Sequence, residues 1–334
     1  MNFCRKCRER GSLNLEMALM IGLLIIAAVV SLFFLGGRIS NSFLAAGGSV
    51  KGMNFAVNGS AGGSGGGETS GATGFGPGGH YTSNSAPTPV DSDWEFSDNG
   101  DGTYTASKYN GTSAIVSAPF TYNGKPVTKL YGGTESAPVI PETVTTFYIP
   151  DTITTIGSGA FYFCSSLTSV NISNGVTEIG SGAFYDCTSL PSLVLPNSVT
   201  KIGNGAFIGC KSLTSINIPD GVTIIEDGVF YHCTNLTSLV LPNGVTTIGE
   251  SAFSNCSSLT SINIPNGVTT IGSSAFQLCS SLTSVTIPES VTTIGSSAFY
   301  FCKSLTSVNI SNGVTEIGSS AFQLCSSLTS VTIP

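Results

Sequence analysis

Eight cysteines stand 23 residues apart, at Cys164, Cys187, Cys210, Cys233, Cys256, Cys279, Cys302 and Cys325. The phenylalanines from Phe161 to Phe322, the leucines from Leu167 to Leu328 and the isoleucines from Ile156 to Ile317 keep the same phase. A unit of 23 residues cannot bury its own apolar face. Such units must stack, each covering its neighbours, so that one core runs through the array. Within each copy the pattern around Leu167, Val170 and Ile172 predicts a short strand with those side chains inward. Phe161 and Cys164 plug the other side of the core, and Gly157 permits a tight bend. Each coil is expected to hold one or two short strands and a short helical turn.

The working consensus, V-T-x-I-G-x-x-A-F-x-x-C-x-S-L-T-S-V-x-I-P-x-G, is similar to the BspA-type leucine-rich repeat of bacterial surface proteins. The resemblance covers about residues 100–334, and the stretches 271–288 and 317–334 are the same 18 residues. It implies a leucine-rich repeat solenoid over residues 151–334 and attachment to host proteins or other cells, without naming a target. In a parallel stack the repeat cysteines lie about 5 Å from one another, inside the range a disulfide permits. Their Cβ vectors point the same way into the core, however, which suits packing. Free, inert thiols are expected, each acting as a small hydrophobe. The chain stops at residue 334 without a capping segment, which reads as truncation or as an end covered by another subunit.

The region ahead of the repeats has a different character. Residues 1–11 carry Arg5, Lys6, Arg8 and Arg10 against Glu9 alone. Residues 17–37 hold no charge, and 21 residues rise about 30 Å as a helix, enough to cross the hydrocarbon core. A transmembrane helix is therefore expected over residues 12–44. The basic flank keeps residues 1–11 cytoplasmic and sends everything after Arg38 outside.

The stretch R-E-R-G-S-L-N-L-E-M-A-L resembles a type IV prepilin cleavage region, and LIIAAVVSLFFLGGRISNSF looks like the helix of Flp-type pilins from tight-adherence systems. That resemblance implies cleavage after Gly11. Ser12 then becomes the new N-terminus, and its amine pairs with Glu16 of a neighbouring pilin subunit, neutralising two charges that are costly in lipid. The alternative is an uncleaved signal anchor with Glu16 in the headgroup region.

Residues 45–90 contain 14 glycines and many Ser, Thr, Asn and Pro, and read as a flexible tether with a reach of about 35–40 Å. His80 within it is expected to be solvated. Residues 91–150 read as a β-rich cap over the first coil, opening with a hairpin at WEFSDNGDGTYTAS whose D-N-G-D-G is a turn. The spacing of Asp98 and Asp101 lacks the closing Glu of a calcium loop.

Charge and motif content exclude several functions. With 12 Lys plus Arg against 19 Asp plus Glu, the net charge is −7, and no basic face is available for nucleic acid. Two histidines and the absence of Ser/His/Asp, paired-carboxylate, Walker or HExxH patterns leave no catalytic residue, metal ligand or cofactor site to assign. Cys4 and Cys7 have no second pair to complete a zinc site. Two surfaces remain as candidates. The outward strand positions Ser169, Asn171, Ser215, Asn217, Ser261 and Asn263 form an uncharged ribbon suited to a protein or glycan, or simply a solvated sheet face. Between Phe and Cys of each copy the residues vary most, and Tyr162, Tyr185, Tyr231, His232 and Tyr300 are the anchors expected there. The expected role is adhesion to a host or neighbouring-cell surface protein or glycan, from a single-pass membrane anchor or from a pilus. A structural filament subunit with a passive solenoid is the alternative.

Overall fold

Two short alternating stretches per repeat become two short strands per coil. In the first full coil they are Thr155–Ile156 and Ser169–Ile172, with Ile156 and Val170 inward. The computed structural model describes residues 86–131 and 139–332. The expected transmembrane helix, most of the tether, and Gly11, Ser12 and Glu16 lie outside the described residues. Among the described residues no helix is long and apolar enough to cross a membrane.

From Thr155 onward, equivalent strands of successive coils that pair do so in parallel with no slip. Thr155 faces Glu178 and Ile156 faces Ile179; further along, Ser284 faces Ser307 and Val285 faces Val308. Register is pinned because a one-residue shift would turn every buried Ile and Val to solvent. Identical side chains therefore stack on themselves. Rings from Phe161 to Phe322 form a column with centroids 4.9–5.5 Å apart and planes within 15°. Beside it runs a column of free, buried thiols. From Cys187 onward each S–H donates to the carbonyl of the Phe 26 residues earlier, as Cys256 does to Phe230 O at 3.1 Å. Burial without a counter-charge pushes the thiols from Cys164 to Cys279 up; Cys164, Cys210 and Cys279 reach about 12.

The segment expected to be a short helical turn is not helical. Ala160, Tyr162 and Cys164 donate to carbonyls three residues back, at Gly157, Gly159 and Phe161. The amides between them, of Gly159, Phe161 and Phe163, donate instead to Ser181, Ala183 and Tyr185 of the next coil. An α-helix needs every amide aimed back along its own axis. Here alternate amides bridge between coils, so the segment is a series of tight turns. It contains two left-handed residues per coil, such as Gly159 (φ 66°) and Phe163 (φ 58°).

Both sheets begin ahead of residue 151. Trp94–Asp98 and Tyr104–Tyr109 form an antiparallel hairpin, and Tyr104–Tyr109 then pairs in parallel with Lys125–Leu130, which pairs with Thr155–Ile156. The second sheet starts at Ile115–Ser117 and passes through Thr146–Ile149 to Ser169–Ile172. At the hairpin tip Asp98 accepts from the Gly100 N–H at 2.8 Å, and Asp101 accepts from the Thr103 N–H and hydroxyl. Those carboxylates serve the turn. Trp94 lies edge-on to Phe147, which lies edge-on to Phe161, so aromatic rings cover the start of the column.

Among the described residues one fault interrupts both sheets. The first sheet stops at Lys201–Ile202 and a new one starts at Ile224–Ile225; the second also breaks there, between Ser215–Ile216 and Ser238–Val240. Both interruptions fall between the coils of Cys210 and Cys233. One residue accounts for the first break. At the equivalent position other coils carry glycine: a Cβ on Gly203 would lie 2.6 Å from Ser181 N, and one on Gly272 2.5 Å from Gly249 C. Those glycines donate to the preceding isoleucine carbonyl, Gly203 to Ile179 O and Gly249 to Ile225 O, at 2.7–2.8 Å. In the Cys233 coil the residue is Glu226. Its side chain has no room in the tight register, and neither its amide nor that of Thr223 joins the Cys210 coil. In the second sheet the Thr237 N–H to Thr214 O bond is stretched to 3.4 Å. The coils stay joined through their turns, where Gly205, Phe207 and Gly209 donate to Asp227, Val229 and Tyr231, and through the stacked Phe207 and Phe230 rings. The second sheet has another, simpler gap between Ser169–Ile172 and Ser192–Leu193. There Pro191 replaces the threonine whose amide would donate.

Candidate functional site

The turn segments present the residues that differ from coil to coil. Their positions follow from the alternation of amides: the residue before each cysteine is left-handed, including Phe163, Asp186, His232, Asn255, Leu278 and Phe301. A non-glycine residue in that conformation costs about 1–2 kcal/mol, and the bridging bonds on either side hold it there. Side chains on this ridge are therefore rigidly placed.

The sequence-predicted anchors separate into three groups. At the first full coil Tyr162 is 8% exposed, stacked on Tyr185 at 4.6 Å, with Phe163 edge-on to both. The ring presented to solvent there is Phe163, at 44%. Tyr185 is half-buried. Mid-array, Tyr231 is 41% exposed and tilted against His232. His232 is half-buried, and its Nδ1 accepts from the Asn255 side-chain amide at 2.8 Å, an arrangement that leaves the proton on Nε2. The third group is Tyr300 with Phe301, whose ring lies 4.2 Å beneath the Lys303 ammonium. Sequence spacing could not tell Tyr162 from Phe163. The left-handed backbone at residue 163 turns that side chain outward, and nothing in its residue type announces this.

On the strand ribbon, Asn171, Ser215, Asn217, Ser261 and Asn263 are exposed and Ser169 is half-buried. Ser215 lies directly beside Ser192, and Ser261 beside Ser238. Asn217 is engaged within the fold. Its Oδ1 accepts from the Leu195 N–H and its Nδ2 donates to the Leu195 carbonyl, both at 2.8 Å. It replaces ladder bonds between these two coils.

A feature not expected from the sequence lies on the turn face beside the fault. Asn204, Gly205, Ile208, Asp227, Gly228, Tyr231, Glu250 and Ser251 line an open cleft of about 360 Å³. Asp227 is fixed by the Glu250 N–H, which donates to its Oδ1 at 2.7 Å. Asn204, Asp227 and Glu250 occupy a position that is serine in the other coils, from Ser158 to Ser319. That departure from the repeat was the available signal.

Residues 142–259 and 223–334 match the BspA type leucine rich repeat region, in six copies. The chain belongs to the BspA-type leucine-rich repeat family. The match begins at residue 142 and leaves the prepilin-like segment outside it. Among solved structures the chain is similar to the leucine-rich repeat protein of T. pallidum, with 26% identity and a TM-score of 0.54. That comparison covers 59% of this chain and 91% of that one. A leucine-rich repeat protein from Bacteroides ovatus is 25% identical over 73% of this chain and 82% of its own, with a TM-score of 0.44. A leucine rich cell surface protein from Faecalibacterium prausnitzii is 26% identical over 75% and 95%, with a TM-score of 0.36. No curated protein matches the chain. The family fold is a scaffold that holds side chains in fixed array, and nothing in the described residues assembles a catalytic group.

Proposed function

We propose that this chain is a surface-displayed binding module. Its solenoid stands outside the cell, held by residues 12–44 in the membrane or in a pilus, and its turn face attaches to a protein or glycan of a host or neighbouring cell. The observation that carries this reading is the placement of Phe163 and Tyr231, exposed by 44% and 41%, on rigid left-handed or turn backbone. Aromatic side chains fixed in this way lose little conformational freedom on contact and dominate the energetics of interfaces. The basic flank, the uncharged 17–37 stretch and the glycine-rich tether support display outside the membrane.

The test uses the full chain to recover partners from intact host or neighbouring cells. It is compared with a variant carrying Phe163→Ser, Tyr185→Ser, Tyr231→Ser and Tyr300→Ser. Unaltered far-UV circular dichroism would establish that the variant is folded. Loss of recovery supports the reading; equal recovery by the two proteins refutes it. A second reading, a filament subunit with a passive solenoid, is favoured by Gly11 and Glu16 in prepilin spacing. The mature N-terminus separates the two anchors: Ser12 marks a processed pilin-like subunit, Met1 a plain membrane anchor.

A further inference from the structure

We propose that the cleft beside the fault receives a lysine or arginine side chain of the protein partner. This rests on reading the turn face as a binding surface, and it commits that surface to a protein with a basic segment.

The cleft lies beside the fault, on the turn face. Elsewhere successive coils close on one another through glycine in the first sheet. With Glu226 in that place the ladder opens between the Cys210 and Cys233 coils, and the cleft runs beside it over the turns of the Cys210, Cys233 and Cys256 coils. Those turns stay bonded through Gly205 N–H to Asp227 O and Gly228 N–H to Glu250 O. Its lining divides into two kinds of surface. Ile208 and Tyr231 form an apolar wall, and Gly205 and Gly228, both left-handed, present no side chains to fill the space. Asp227 and Glu250 form the acidic side, with Asn204 and Ser251 completing the rim. The two acidic residues are equivalent positions of neighbouring coils, about 5 Å apart along the stack. No described cation lines the cleft. Lys201, in the same coil as Asn204, is held by Glu178 at 2.7 Å.

Such a site fits one side-chain chemistry. A lysine or arginine stem packs along an apolar wall while its charged end stays at the polar rim. The ammonium or guanidinium then lies between two like charges that repel each other in its absence, and within reach of a tyrosine face that attracts cations. A volume of about 360 Å³ is at the small end of ligand pockets, the scale of a side chain rather than of a folded element. Asp227 Oδ1 already accepts from the Glu250 N–H, and an anionic group in the same place would meet two carboxylates of its own sign.

The experiment is fluorescence anisotropy with the full chain in neutral detergent micelles. The probes are labelled acetyl-Leu-Lys-Leu-Lys-amide, its arginine counterpart, and the same peptide with both lysines acetylated. The basic probes are expected to bind at least tenfold more tightly than the acetylated one and to weaken between 50 and 300 mM salt. The Asp227→Asn/Glu250→Gln double variant should lose most of that preference, and Tyr231→Ala about threefold or more. Glu142→Gln and Glu289→Gln, which remove exposed carboxylates outside the cleft, should leave it unchanged. All four are changes at exposed or half-buried turn positions, and unaltered thermal unfolding would show the fold intact. Failure of the basic probes to bind, equal binding of the acetylated probe, or full binding by the Asp227/Glu250 variant overturns the inference. If binding instead falls with Phe163→Ser and Tyr300→Ser, the cleft is the wrong place while the broader reading of the turn face stands.

Discussion

Raising the pH should loosen this protein through its thiol column, by an amount the burial determines. Cys210 and Cys279 are fully buried, and each S–H is committed to a phenylalanine carbonyl. Burial moves both from 9.0 to about 12. A thiol held this way binds its proton more tightly in the folded chain than in the unfolded one. Stability is therefore complete below pH 9.0 and falls as the pH climbs from 9.0 toward about 12. At pH 10, one unit above the unfolded value, each such thiol costs about 1.4 kcal/mol relative to neutral pH. Replacing both in Cys210→Ala/Cys279→Ala should lower stability at pH 7 through lost packing. It should also make the variant about 2.8 kcal/mol less sensitive to the step from pH 7 to pH 10. Urea denaturation of both reduced proteins at the two pH values, followed by circular dichroism, gives the difference. Lysine and tyrosine titrations are common to both and cancel. An identical pH loss in the two proteins would refute the reasoning, because it would mean that the thiols are ionised or oxidised in the fold.

Other perturbations probe the column, the turns and the fault. Phe253→Ala removes a fully buried ring stacked on Phe230 and Phe276 and should cost about 3–5 kcal/mol; a urea midpoint near that of the parent would show that the column closes over the gap. Ser274→Gly should stabilise by about 0.5–1 kcal/mol, because glycine relieves the left-handed backbone (φ 56°) while adding chain entropy to the unfolded state. The converse Gly182→Ser, where a Cβ meets only Tyr185 at 3.8 Å, should destabilise to a similar degree; thermal unfolding of the pair checks the sign. Glu226→Gly should rejoin the first sheet. Hydrogen exchange at the amides of Thr223 and residue 226 would then slow to the rates of Thr246 and Gly249, and unchanged exchange would disconnect Glu226 from the break.

The stacking direction, the inward set and the cysteine and phenylalanine columns were legible because a 23-residue period superposes every coil on the next. Where one side chain goes, its equivalents follow. The hairpin at Trp94–Tyr109 was legible for a local reason, a glycine-rich turn between alternating stretches. The non-helical turn was not legible, because A-F-x-x-C spacing suits a helix face equally well. What decides the matter is the destination of alternate amides in the next coil, a contact between copies that spacing within one copy does not encode. Tyr162 and Phe163 exchanged roles for the same reason. The fault was written in the sequence as Glu226 in place of glycine. Its effect depends on how little room, under 3 Å, lies beside that position in the stacked array.

A stack of near-identical coils is strong but featureless. Each coil is held by both neighbours through two sheets, a ring column and a thiol column, so a missing set of ladder bonds at one junction need not unravel the array. The two ladder amides of Thr223 and Glu226, at about 0.5–1.5 kcal/mol each, bound what the first sheet forgoes, and solvent can satisfy part of that. The departures are concentrated: Glu226, Asp227, Val229 and His232 fall in one coil, and Glu250 in the next. Stretches 271–288 and 317–334, by contrast, are identical. Uniform coils repeat one surface and cannot place a polar group beside an apolar wall only once. A coil that breaks register can. Glu226, which opens the first sheet, is followed by Asp227 and stands in the coil whose Tyr231 lines the cleft, so the local weakness and the local chemistry are neighbours in one coil. Repairing the fault by Glu226→Gly should therefore narrow the cleft and weaken basic-probe binding even though residue 226 does not line it. Unchanged probe affinity in a variant whose amides have become protected would separate the two.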